Sequence, residues 1–119
     1  MPEELTPRTV LAQLSSLARA LDHTVDLLKE ADLEATMARH AADVAESTAF
    51  LSADGSVEMR KHKARLATDK LEERALQAEA VCRYLKARIS AIGIRVEVGR
   101  SLASALKAEL SVLDYSERP

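Results

Sequence analysis

From Val10 onward, apolar residues return on a three-four beat. One heptad position reads Leu14, Leu21, Leu28, Ala35, Ala42 and Ala49. Its companion reads Val10, Leu17, Thr24, Ala31, Ala38, Ala45 and Ser52. Eleven of these thirteen are apolar, and such a rhythm over six heptads is the pattern of a coiled-coil seam. The seam is Leu-rich in its first half and Ala-rich in its second. Small Ala side chains admit a closer partner, so the seam is expected to tighten toward residue 51. The pattern predicts a helix over about residues 8–51, with Thr6 as cap. Pro7 fits the first turn, where its missing N–H costs nothing.

Residues 52–56 carry turn chemistry. In Asp54-Gly55 the Gly tolerates positive φ and the Asp bonds nearby backbone. Ser56 then caps a second helix, with Glu58 in its first turn facing the helix dipole. Val57, Ala64, Ala67, Leu71, Ala75, Ala78, Val81, Cys82, Leu85, Ile89 and Ile92 follow at helical spacing. The stretch Ile92–Val98 alternates apolar and polar, which is a strand pattern. The helical rhythm nevertheless continues through Val96, Leu102/Ala103, Leu106, Leu110 and Leu113, so helix is favoured over about 57–113. Gly93 and Gly99 each cost about 1 kcal/mol relative to Ala inside a helix. They mark a bend, a close helix contact or a break over 93–99. The expected fold is therefore all-α: a long antiparallel, coiled-coil-like helical hairpin in a single domain spanning 1–119, with a short tail at 114–119.

A helix of about 45 residues is roughly 67 Å long, and two such helices bury one stripe each without a separate core. Leu11, Val25, Leu27, Leu33, Val44, Ile94, Val98 and Leu106 fall outside the seam, and cover by a second copy is expected. The chain should be a homo-oligomer. Composition agrees with long helices: Ala, Leu, Glu, Lys and Arg dominate, and there are only three Gly and three Pro, the latter at Pro2, Pro7 and Pro119. The single cysteine, Cys82, excludes an internal disulfide framework and fits a reducing compartment. The acidic N-terminus has no signal-peptide character, and charges interrupt every apolar run before the roughly 18 residues of a membrane span.

The net charge of −2 hides an asymmetry. Residues 1–59 carry 4 basic and 11 acidic side chains, and residues 60–119 carry 13 and 8. Either the acidic arm pairs with the basic arm, or the basic half meets a polyanion or an acidic partner. Arg60, Lys61, Lys63 and Arg65 cluster in the first turns of the second helix, followed by Arg83, Lys86, Arg88, Arg95 and Arg100. Such side chains neutralise phosphates with salt-dependent affinity. Tyr84 is the one aromatic among them, so base readout is not expected.

Catalytic and metal chemistry is not legible. His23, His40 and His62 stand apart. His40 and Asp43 share a face without a third ligand, and HExxH and CxxC are absent. Cys82 lies on the apolar stripe with no activating group. There is neither a nucleophile elbow nor a phosphate loop, and Glu72-Glu73 reads as solvated surface. No enzyme and no cofactor are expected.

Ala49–Ala67 (AFLSADGSVEMRKHKARLA) followed by Arg100–Leu110 (RSLASALKAEL) resembles small helical proteins of the recombination module of tailed phages, some of them similar to the mediator UvsY. The shared features are Phe50-Leu51 ending a long helix, the Gly55-Ser56 turn, the Arg60-Lys61 helix start and Arg100-Ser101-Leu102 late in the chain. The resemblance spans roughly residues 25–113. It implies an oligomeric, non-enzymatic accessory factor of the phage-infected or lysogenic bacterial cytoplasm. Such factors bind single-stranded DNA and help load a recombinase onto strands covered by single-strand-binding protein. Carried onto this chain, Arg60, Lys61, Lys63 and Arg65 would contact phosphate, with Arg88, Arg95 and Arg100 secondary. The net acidic charge and acidic first helix depart from that pattern, and fit instead an adaptor or assembly chaperone that binds only protein. A secreted Trp-x-Gly hairpin of similar length is excluded by Asp54-Gly55-Ser56 at the turn. The seam residues expected to pack are Leu14, Leu17, Leu21, Leu28, Ala35, Ala38, Ala42, Ala45 and Ala49, with Leu71, Ala78, Leu85, Ile89 and Ile92 opposite.

Overall fold

Helix starts in this chain are set by side-chain caps. Thr6 and Thr9 exchange bonds: the Thr9 N–H donates to Thr6 Oγ1 at 3.2 Å, and the Thr6 N–H donates to Thr9 Oγ1 at 2.9 Å. This reciprocal arrangement satisfies donors that have no partner in the first turn, and α1 begins at the next residue, running Pro7–Ser52. Gly55 takes φ +112°, a left-handed backbone that favours glycine. Ser56 then accepts from the Met59 N–H at 3.2 Å and starts α2, Val57–Ala67. α3 follows at once, Asp69–Glu117. This computed structural model describes residues 5–117, and among them there is no strand.

The sequence allows a bend, a close helix contact or a break at Gly93–Gly99, and helix runs unbroken through both glycines and through 92–98, with no strand there. The interruption is at Thr68 (φ −114°, ψ 12°). Its hydroxyl donates to the Ala64 carbonyl at 2.8 Å, and its N–H is shared between Ala64 and Arg65 carbonyls. Back-bonding by Thr competes with the regular ladder and bends helices. The Glu72 N–H returns to the Thr68 carbonyl at 3.0 Å, so only one residue leaves helical geometry. The C-terminal tail also differs: 114–117 are helical, and 118–119 lie outside the described residues.

Met1–Val25 with Ala87–Pro119 falls in one compact unit, and Asp26–Lys86 in a second. Within Asp26–Lys86 the chain runs antiparallel: Arg39 reaches Glu72 and Glu79, and Phe50 meets Arg60. Its core is small-residue: Ala35, Ala42, Ala64, Ala75, Thr68, Cys82 and Leu85 are buried, with Ala75 at 0% exposure. Leu28, Ala31, Ala38, Ala45, Ala49, Leu71 and Ala78 are half-buried beside them. Ser52, Val57, Ala67 and Val81 are exposed and stand outside the packed stripe.

In the other unit, residues 5–25 and 87–117 also run antiparallel. Leu14 packs on Gly99, and Pro7 and Leu11 share a cavity with Ala103, Lys107 and Leu110. Val10, Thr24 and Ile92 are buried; Leu14, Leu17, Leu21, Ile89, Val96, Ala103 and Leu106 are half-buried. Gly99 is there for contact: a Cβ on it would sit 2.6 Å from Leu14 Cδ2. Val25 and Leu106 are half-buried within the chain, whereas Leu11, Leu27, Leu33, Val44, Ile94 and Val98 are exposed. The packed stripe fades after Leu106, since Leu110 and Leu113 are exposed.

Candidate nucleic-acid interface

The C-terminus of α1 has carbonyls without helical partners and no basic residue in its own last turn. α2 supplies the cations. Arg60 Nε donates to the Phe50 carbonyl at 3.2 Å while its guanidinium lies 4.5 Å from the Phe50 ring centroid. Lys63 Nζ donates to the Asp54 carbonyl at 3.0 Å. Both charges sit where the negative end of the α1 dipole favours them. Of the four cations at the start of α2, these two therefore tie the turn.

Lys61 and Arg65 stand among acids. Lys61 lies 3.9 Å from Glu58 and lines a groove of about 560 Å³ with Asp43 and Glu46. Arg65 borders a polar cavity of about 470 Å³ with Asp43, Glu46, Asp69 and Glu72. Neighbouring carboxylates repel a phosphate, so the densest basic run in the sequence is a poor place for one.

Across the helices, the ion pairs run against the overall charge of the two halves. Arg39, from the acidic arm, meets Glu72 at 2.7 Å and Glu79 at 2.5 Å, both from the basic arm. It also lies 3.8 Å from Asp43. Hydrogen bonds to Glu72 and then Glu79 hold its pKa above the ordinary arginine value. Glu72 is thus a partner rather than solvated surface, while Glu73 is exposed. Asymmetry between the halves does not by itself tell which residues will meet.

The cations of α3 are less engaged. Arg100 pairs locally with Glu97 at 3.2 Å. Arg74, Arg83, Lys86, Arg88 and Arg95 are exposed and form no ion pair among the described residues. Arg74 borders Glu30 and Glu34, so its surroundings are acidic too. Arg83, Tyr84 and Lys86 stand on one turn of α3, beside exposed Ala80, and Tyr84 is 61% exposed. On the helix Arg83 and Lys86 share a face at i,i+3 and offer counter-charge to phosphates. Tyr84 stands on the neighbouring face, on the far side of Arg83 from Lys86, and offers its ring to a base. The sequence lists all three residues; what it lacks is which cations are already spent on carbonyls and carboxylates.

His23, His40 and His62 are exposed and separate, and no three His, Cys, Asp or Glu side chains among the described residues converge as a metal site. Cys82 is buried, and burial, followed by a hydrogen bond to Asp32, pushes its thiol pKa up, away from the reactive thiolate. No helix among the described residues is long and apolar enough to cross a membrane. Compared with known proteins, the chain matches no family model, no curated protein and no solved structure.

Proposed function

We propose that this chain is a non-enzymatic accessory protein of the recombination-mediator type. It self-associates, binds single-stranded DNA through α3, and presents that strand to a recombinase or a single-strand-binding protein. The observation that carries the proposal is the exposed turn Arg83–Tyr84–Lys86, whose cations form no ion pair among the described residues. Arg88 and Arg95 extend the basic character of the same helix. Arg60 and Lys63 are assigned instead to holding the turn, and Lys61 and Arg65 contribute little beside their carboxylates.

Fluorescence anisotropy with a labelled oligo(dT) tests this. Binding is expected at low salt and should weaken as salt rises. Arg83→Glu with Lys86→Glu should reduce affinity at least about tenfold and flatten the salt slope by about 0.7 per lost phosphate contact. Tyr84→Ala should cost about 1–3 kcal/mol if a base stacks there. Absence of binding at low salt overturns the DNA function. The protein-only adaptor is favoured by one separate observation: the outward side of α3 after Arg88 is lined with uncharged residues, as a helix-binding surface would be.

A further inference from the structure

α3 carries a second three-four beat, distinct from the one that packs on α1. Residues 91, 94, 98, 101, 105, 108, 112 and 115 read Ala, Ile, Val, Ser, Ala, Ala, Val and Tyr. None is charged, and all are exposed; Ile94 is 66% and Val98 56% accessible. At about 100° per residue, these positions centre on the side of α3 away from Ile89, Ile92, Val96, Gly99, Ala103 and Leu106, which face α1. Ile94 and Val98 also form the outer wall of a groove with Leu14 and Leu17. A solvated outward face is ordinarily charged, and the chain as a whole is 30% charged.

We infer that this face is an interface between two copies of the chain, with the α3 helices antiparallel. The edge charges select that occupant. Along one border of the stripe stand Arg95, Leu102 and Glu109, at heptad spacing. Neither Arg95 nor Glu109 forms an ion pair within the described residues. A two-fold axis at Leu102 sets Arg95 against Glu109 of the second copy, and Glu109 against Arg95 of the second copy. A parallel pairing would bring the other border across instead, setting Arg95 against Ser90 and Glu109 against Ser104 of the second copy and leaving both charges unmatched. In an antiparallel seam the central pairs are centred one residue beyond the border pairs, here at 103, and sizes match there: Ala91 faces Tyr115 of the second copy, Val98 faces Ala108, Ile94 faces Val112 and Ser101 faces Ala105. Such an interface is isologous, as a two-fold requires.

The contact is about 36 Å long, from 24 steps of about 1.5 Å, and about one helix diameter wide. That places it at the low end of specific interfaces, so a reversible rather than permanent pairing is expected. The inference gives a surface to the self-association in the proposed function and rests on that part of it alone.

Sedimentation across a concentration series tests it on the full chain. The expected result is a reversible dimer at twice the 13.0 kDa chain mass. Val98→Glu should shift the equilibrium to monomer at unchanged helical circular dichroism, because Val98 is exposed within the chain. Glu109→Arg alone and Arg95→Glu alone should each weaken the dimer at least about tenfold, and the double swap should restore it. Monomer at every concentration, or a dimer indifferent to Val98→Glu, overturns the interface. Failure of the double swap to restore overturns its antiparallel register. A monomer that still binds oligo(dT) would sink this interface while leaving DNA binding intact.

Discussion

The two compact units solve the same helix-pairing problem with different materials. Asp26–Lys86 is built on Ala35, Ala42, Ala64 and Ala75, side chains that bury little area each. At about 0.8 kcal/mol per buried methylene, such a core gives close approach but modest driving force. Polar links stand where bulk is missing: Arg39 to Glu72 and Glu79, Arg60 to the Phe50 carbonyl, Lys63 to the Asp54 carbonyl. The other unit is built on Val10, Leu14, Leu17, Leu21, Ile89 and Ile92, with Gly99 making room for Leu14. Its Arg100–Glu97 ion pair lies within α3 and does not join one helix to the other. Where side chains are large, interdigitation sets the register; where they are small, directional bonds must help set it.

Placing a charge in the alanine core should have the largest effect. Ala75→Asp buries a carboxylate at a position with 0% exposure, and a loss of at least about 3 kcal/mol is expected in urea melts. The same substitution at exposed Ala80 should stay within about 0.5 kcal/mol, and equal costs at both sites would break the distinction. Arg39→Ala comes next. It should lower the thermal midpoint at low salt, and high salt should remove much of the difference, since the carboxylate partners are part-exposed. A salt-independent loss would mean that Arg39 acts by packing.

The two glycines of α3 separate contact from propensity. Nothing lies within 4 Å of a Cβ placed on Gly93, so Gly93→Ala should stabilise by up to about 1 kcal/mol. Gly99→Ala meets Leu14 and should gain less or lose; in a Leu14→Ala background it should recover the gain. Thermal melts of the four variants report this coupling directly. The smallest effect concerns Cys82. Its folded thiol keeps a proton above the ordinary thiol range near about 8.5. The unfolded chain loses that proton first, so stability should fall as pH rises from there through the folded pKa. Cys82→Ala should flatten that alkaline decline, and the native thiol should alkylate slowly at neutral pH.

Much of the fold is legible in the sequence because a heptad beat is a property of the sequence itself. Twelve of the thirteen α1 positions on that beat are buried or half-buried, with Ser52 the exposed one. The caps at Thr6 and Ser56 are legible for the same reason: they depend on bonds three residues away. Thr68 is not. Thr24 makes an equivalent bond to the Ala20 carbonyl at 2.7 Å, yet its helix continues. The local text does not distinguish them, because tertiary context decides whether the ladder yields. The candidate site was partly hidden for a similar reason. Arg60 and Lys63 look like free charge until the turn brings α1 carbonyls beside them, and Glu72 looks solvated until Arg39 arrives. The uncharged outward stripe of α3 was in plain text, but two interleaved beats on one helix read as a single irregular one.

The buried beat of the second arm passes through Thr68 and Gly99 without a phase change: Ala64, Thr68, Leu71, Ala75 and onward to Leu106 keep steps of four and three. The chain's length is therefore quantised. Inserting one residue turns everything beyond it by about 100° and presents the wrong side to the neighbouring helix. Inserting seven leaves only about 20° of drift, which supercoiling absorbs. Lengthened or shortened forms of this protein should differ by whole heptads, taken from opposing stretches of both arms together.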